Sequence, residues 1–387
     1  MRLLFVKHAL AWPRSSGHDV HTFYMMKACA ALGHEVALAT VVEPTAQAVS
    51  GLVLSACFTL AGTAGGTVPK GTRLQERFRS FWGVTDGQVT NLVQAARAFR
   101  PDAVIIGGLD ALPYFPALKG TTRVWYAADE WVIHHLSMVR ARGGEALDNL
   151  RAAAIKGLYE RAHRTVVDRA WVVTERDRRA MRWIAGMPAV DVLPNGVDAE
   201  FFQPGPELPA EHTAVFWGRL DFGPNIQALH WFCKRVWPDI RRQVPDARFT
   251  IIGFQPGNAV RTLASADGIQ LEADLADLRA VARRHAVCVL PFVSGAGIKN
   301  KLLEAAALGL PIVGTPLSAL GLRGKPPIVT ATSPAAFRDA LVALWQDERR
   351  QRELSASGRE WVMAHHSWIS TARQALATLD IGARAAA

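Results

Sequence analysis

Apolar runs of strand length alternate with stretches of helical periodicity along most of the chain, the pattern by which βα units build parallel sheets covered by helices. In the first half the runs are LLFV (3–6), EVALATVV (35–42), AVIIG (103–107), RVWYAA (123–128), AWVVT (170–174) and VDVL (190–193). Helical periods lie between them, from about Val20 to Leu32, where Gly33 stops the helix, and over 145–163 and 176–184. Residues 60–75, AGTAGGTVPKGTRLQE, show no apolar period and predict a mobile loop. PNGVDAEFFQPGPELPAEHT then carries four prolines between 194 and 209 and an Asn-Gly turn signal, so it reads as a connection. A second series follows: AVFWG (214–218), a helix near 225–236, RFTIIG (248–253), a helix near 275–284, AVCVLP (286–291), a helix near 299–308 and PIVGT (311–315). The expected fold class is α/β, with two Rossmann-like domains facing one another across a cleft. Their expected bounds are 1–195 and 213–365, with a linker at 196–212 and a last helix within 366–387 crossing back to the first domain. In such sheets ligands bind at the carboxyl ends of the strands, so function is sought in the loops that follow them.

Composition narrows the class. Of 387 residues, 50% are hydrophobic and 20% charged, which suits an ordinary globular chain and excludes disordered, disulfide-stapled and coiled-coil classes. The net charge of +10 points to anionic partners: phosphorylated small molecules, an acidic membrane surface or nucleic acid. Nucleic acid loses ground because no helix-turn-helix, zinc finger or RNP-like aromatic pattern occurs. Cys29, Cys57, Cys233 and Cys288 stand far apart, without Cys-x-x-Cys or zinc spacing, so a reducing cytoplasm is expected and no metal. MRLLFVKHALAW is broken by Lys7 and His8 and reads as a first strand, not as a secretory leader.

The most informative segment is AVCVLPFVSGAGIKNKLLEAAALGLPIV (286–313), where a buried strand ends, a Gly-x-Gly loop turns and a helix opens near Lys299. A helix N-terminus offers unpaired N–H groups and a positive dipole end, and Gly295 and Gly297 let the backbone approach an anion closely. Lys299 adds a charge. Lys301 and Glu304, three apart, share a face and offer a cation to a diphosphate and a carboxylate to sugar hydroxyls; the alternative is a solvated Lys/Glu pair. A dinucleotide fingerprint is not supported. Asn300 stands where its third glycine belongs, and no acidic residue follows about 20 residues on.

Three stretches resemble the GT-B glycosyltransferases of family 4, the nucleotide-sugar-dependent retaining enzymes. VLPNGVDAEFFQP (192–204) resembles their inter-domain signature, FWGRLDFGPNIQALHWF (216–232) the first strand and loop of their donor domain, and GAGIKNKLLEAAALGLPIV their donor-site helix. The wording is closest to sugar transferases of exopolysaccharide-type systems, and the similarity is strongest from 170 to 322. The resemblance implies that Arg219 contacts the donor diphosphate beside Gly218, that Glu304 binds ribose hydroxyls, and that Ile298 and Asn300 line the same site. Two positions depart from the pattern. The family's sugar-gripping glutamate is replaced by Ala296, and the lysine expected after the Gly-Arg-Leu arginine is absent from DFGPN (221–225), leaving Lys299 or Lys301 to supply the cation.

On the acceptor side, SSGHDVH (15–21) places Gly17, His18, Asp19 and His21 after the first strand, with Asp19 as an alternative helix N-cap. WYAADEWVIHH (125–135) puts Asp129 and Glu130 at the end of another strand, and Asp129 is the expected acceptor-side catalytic group. His134 and His135 are adjacent, so at most one faces the cleft. With no D-x-D triplet, protein cations take the metal's usual work, and Arg219 and Lys299 stabilise the departing nucleoside diphosphate. The resemblance implies retention by front-face attack, from a UDP- or GDP-sugar donor and without another cofactor, onto a glycan, lipid-linked or small-molecule acceptor. A sugar-nucleotide epimerase or hydrolase on the same fold, or a catalytically silent partner subunit, are the alternatives. Residues 140–183 hold 11 Lys/Arg against 6 Asp/Glu with Trp171 and Trp183 nearby, a basic aromatic face suited to peripheral contact with the inner face of a membrane. Trp217, Trp231 and Trp237 fall at core spacing and call for no ligand.

Overall fold

The computed structural model describes residues 1–12, 17–62, 68–128, 130–139, 146–295 and 298–385. The chain divides into two units, one of Met1–Pro194 with Trp368–Ala387 and one of Asn195–Ser367.

The first unit is built on seven parallel strands: β1 (Arg2–Lys7), β2 (Glu35–Thr40), β3 (Ala56–Thr59), β4 (Ala103–Gly107), β5 (Thr122–Ala128), β6 (Arg169–Val172) and β7 (Val190–Val192). Their order is β3-β2-β1-β4-β5-β6-β7, so the sheet switches direction between β1 and β4. Its helices are α1 (Gly17–Ala31), α2 (Ala46–Val49), α3 (Arg73–Phe81), α4 (Asp86–Phe99), α5 (Trp131–Val139), α6 (Ala146–His163) and α7 (Glu175–Ala180), the last running into a π turn at 181–185. Strand β4, AVIIG, is buried at every residue, as parallel strands covered on both faces must be. Thr72 and Thr85 each cap the following helix through a reciprocal Thr/Gln box, which starts α3 inside the stretch expected to be a loop; residues 63–67 of that stretch lie outside the described ones. Strand β3 was not anticipated. It is a short edge whose residues alternate between half-buried and exposed, without the continuous apolar run of its neighbours.

The second unit has six parallel strands: β8 (Ala210–Arg219), β9 (Arg248–Phe254), β10 (Ile269–Ala273), β11 (His285–Leu290), β12 (Ile312–Gly314) and β13 (Val329–Thr330). The order β10-β9-β8-β11-β12-β13 puts its switch point between β8 and β11. The helices are α8 (Gly223–Arg235), α9 (Trp237–Gln243), α10 (Asn258–Ala264), α11 (Arg279–Ala282), α12 (Asn300–Ala307), α13 (Pro334–Trp345) and α14 (Glu348–His365). The helix expected over 275–284 is only the four residues of α11. Asp274 sits at φ 55° and Asp277 turns onto the Arg279 amide, so the chain stays irregular until Arg279. Residues 196–212 are not a bare linker. The Val197 amide donates to His366 O at 2.9 Å, Phe202 packs on the unit's core, and β8 already begins at Ala210.

After Ser367 the chain returns to the first unit as α15 (Trp368–Ala385). Trp368 stacks on Tyr24 of α1, with centroids 5.6 Å apart, and meets His21 edge-on at 5.3 Å. The Trp171 indole N–H donates to Thr378 Oγ1 at 3.2 Å.

Candidate functional site

At the switch point of the second unit, β8 ends in Gly218 and Arg219 and β11 leads into a loop that opens α12. Crevices at such points, beyond the strand carboxyl ends, are where doubly wound sheets bind ligands. Gly218 has φ 147°, and a Cβ there would collide with Lys301 Cε and lie 2.6 Å from Nζ, so this glycine makes room for the lysine. The Lys301 ammonium lies beside the Phe216 and Phe292 rings, 5.7 and 5.9 Å from their centroids. The Lys299 ammonium is 5.4 Å from the same Phe292 ring and donates to Gly295 O at 3.3 Å. Two cations therefore gather about one aromatic ring. A Cβ at Gly295 (φ 101°) would lie 3.1 Å from Pro224 at the start of α8, so this loop and α8 close on each other. Among the described residues no side chain caps α12.

Glu304 is not a solvated partner of Lys301. Its Oε2 accepts the Trp217 indole N–H at 2.6 Å, so Trp217 is a buried residue with a polar task. Burial pushes the Glu304 carboxyl up, against the Trp217 hydrogen bond and the Lys301 charge, and burial pulls Lys301 down, against Glu304 and Cys288. Each charge favours the charged form of the other against burial, in surroundings that strengthen electrostatic interactions.

Arg219 departs from its expected posture. Its guanidinium forks onto Asp221, Nε to Oδ1 at 3.0 Å and Nη2 to Oδ2 at 2.5 Å, and this hydrogen bonding holds the Asp221 carboxyl below its ordinary range. The sequence reading did not single out Asp221. The Asn225 amide donates to Arg219 O at 2.7 Å and closes the turn into α8. Asn300, expected to face a ligand, accepts the side-chain amide of Asn195. Ile298 packs against the core of the unit. Gly297 and Ala296 lie outside the described residues.

In the first unit, Gly17 opens α1 and His18 lies flat against Trp131, centroids 6.0 Å apart and 8° between planes. Burial pulls the His18 ring to about 4. Asp19 is inside the helix and is no N-cap: its Oδ1 accepts the Lys7 ammonium at 2.5 Å in a buried pair that ties α1 to β1. His21 does not face a ligand; it is buried, with Nδ1 2.8 Å from the Tyr126 hydroxyl. Asp129 lies outside the described residues. The residues flanking it are informative: Ala128 is held at φ 57°, a conformation alanine rarely adopts and one that clusters at functional sites. Glu130 is fully buried, accepts the Ile133 amide at 2.6 Å, and adjoins the equally buried Glu160, whose carboxyl is pushed well up by burial and by Glu130. His135 Nδ1 lies 3.3 Å from Asn149 Oδ1, and the His134 and His135 rings meet edge-on. Trp171 is in the core, so of the two tryptophans near the basic run only Trp183, 85% accessible, stands at the surface.

A cavity of about 970 Å³ in the second unit is lined by Ala210, His285 and Pro311, at the amino ends of the strands, and shares no residue with this cluster. By chemistry and topology the candidate site is the cluster at the opposite end of the sheet. Among the described residues no group of three or more His, Cys, Asp or Glu is arranged to hold a metal ion.

With a doubly wound sheet in each unit the chain has the GT-B fold, and its similarity to glycosyltransferases makes it a glycosyl-transferring enzyme. Residues 211–347 match the family described as Glycosyl transferases group 1. Over 300 residues the chain is 25% identical to the phosphatidyl-myo-inositol mannosyltransferase of Mycobacterium leprae, covering 69% of this chain and 78% of that one. It is 30% identical over 210 residues to the GDP-mannose-dependent alpha-(1-6)-phosphatidylinositol monomannoside mannosyltransferase of Mycolicibacterium smegmatis, 46% of this chain and about half (53%) of that one. In structure it resembles the sucrose-phosphate synthase of Thermosynechococcus elongatus (TM-score 0.72, 16% identity, 100% of both chains). HepE of Anabaena, solved with UDP and glucose, is also similar (TM-score 0.69, 13% identity, 98% and 99% of the chains).

Proposed function

We propose that the chain moves a hexosyl group from a nucleoside diphosphate sugar to a lipid-linked or glycan acceptor, with retention of configuration. The observation that carries this is the Lys301–Glu304–Trp217 cluster over Gly218. With Oε2 occupied by Trp217, the other oxygen of Glu304 is turned to ribose, and Lys299, Lys301 and the amides of α12 receive the negative charge that grows on the leaving diphosphate. Arg219 joins them by exchanging Asp221 for phosphate oxygens. The first unit binds the acceptor, with His18 and Asp129 after β1 and β5 as its polar groups. Two of the similar proteins are named for transfer to phosphatidylinositol derivatives, which supports a lipid-linked acceptor.

The surface of the first unit fits such an acceptor. Leu147, Leu158 and Trp183 are 78, 51 and 85% accessible on α6 and the π turn, among the exposed Arg151, Arg161, Arg179 and Arg182. Apolar anchors within a basic field suit the headgroup region of an anionic membrane, though no helix among the described residues is long and apolar enough to cross one.

The protein incubated with UDP- and GDP-hexoses, with and without lipid extract, should release nucleoside diphosphate only with acceptor and yield a radiolabelled glycolipid. Release without acceptor would make it a hydrolase, and tight nucleotide binding without turnover in any extract would make it a silent subunit.

A further inference from the structure

Both segments through which the chain enters and leaves the second unit converge on one buried histidine. His366 has no accessible surface. Its Nε2 accepts the Arg323 amide at 3.3 Å, so the ring proton is on Nδ1, which donates to Asn195 O at 2.8 Å. One neutral tautomer satisfies both contacts. The His366 carbonyl accepts the Val197 amide at 2.9 Å, and Val197 and Ser367 form an isolated parallel bridge. Asn195, 3% accessible, passes the restraint on: its side-chain amide donates to Asn300 Oδ1 at the first residue of α12. Asn195 Oδ1 is buried with no partner among the described residues, a cost that an asparagine placed only to fill a turn would shed by rotating toward water.

We infer that His366 and Asn195 are positioning residues for the donor site: they fix the first turn of α12 by tying Asn300 to the paired crossing segments of the chain. They touch no reacting atom. Their effect passes through the helix that presents Lys301 and Glu304, so the inference rests on the donor reading for its catalytic meaning, and on the hydrogen bonds alone for its structural one.

Hydrogen exchange on the full, ligand-free chain tests the tie. His366→Ala and Asn300→Ala should speed exchange of the hydrogen-bonded amides at the start of α12, Leu302 (to Lys299 O, 2.9 Å) and 304–306, about tenfold, the loss of one buried hydrogen bond, while α13 exchanges as before. His366→Asn, whose amide N–H replaces Nδ1–H, should restore protection. Asn300→Ala cuts the tie without touching the crossing, so a poorly folding His366→Ala still leaves a test. Steady-state kinetics then read the function: His366→Ala should raise KM for the nucleotide sugar about tenfold with kcat changed by less than about threefold. Unchanged exchange at Leu302 and 304–306 in both alanine variants would overturn the tie. Equal behaviour of His366→Ala and His366→Asn would reduce the histidine to packing. A wild type that binds no nucleoside diphosphate would defeat the donor reading, while the exchange result would still decide the tie.

Discussion

Lys301 and Glu304 are neighbours on one helix face, and each decides how the other behaves. Glu304→Gln keeps the shape and the Trp217 contact and removes the carboxylate offered to the ribose hydroxyls. It should weaken nucleoside diphosphate binding by about 1.5–3 kcal/mol, roughly 10- to 100-fold, with inorganic pyrophosphate affinity nearly unchanged; calorimetric titration with both ligands checks it. Equal losses would take Glu304 off the ribose. Gly218→Ala should fail differently, because the new methyl meets Lys301 and the backbone is held at φ 147°. The expected cost is about 1–3 kcal/mol in stability, read by urea unfolding, together with a raised donor KM. The spacing of Lys299, Lys301 and Glu304 was legible because a loop-to-helix junction has few uses for two lysines and a glutamate on one turn. Trp217 and Asp221 were not. An indole 87 positions before its carboxylate partner looks like any core tryptophan, and an Arg-x-Asp pair forks only when the strand ends between them.

Among the elements, α15 shows most plainly how distant sequence completes a fold. Trp368 covers Tyr24 and His21, so Trp368→Ala removes a wall of the first unit's interior. It should destabilise that unit by about 3–5 kcal/mol and leave the second untouched, giving a split thermal transition by calorimetry. One concerted shift of both transitions would contradict this. The inner strands could be read directly, since strands buried on both faces write themselves as unbroken apolar runs. The edges β3 and β10 could not: IQLEA has one buried residue in five, and only pairing with β9 makes it a strand. Tertiary context, not propensity, set those boundaries.

For the molecule as a whole, acidity is the lever. His21 and His163 are buried and neutral, and burial pulls their rings down to about 3 and about 4. Unfolded, each takes up a proton near pH 6.5, so the stability they permit is fully present above that value. It falls by about 1.4 kcal/mol per pH unit for each histidine until the folded rings also protonate, near pH 4 for His163 and pH 3 for His21. Urea unfolding at pH 7, 5.5 and 4.5 should show this decline, and His163→Gln should flatten it; a profile unchanged by that substitution would remove His163 from the account. The return of α15 to the first unit has a consequence at the ribosome. A nascent polypeptide emerges amino end first, so the stretch 195–367 is able to condense as an uninterrupted block while everything before it still waits for its final helix. The part of the protein made earliest is therefore the part finished last, and chaperones have their longest opportunity to hold it there.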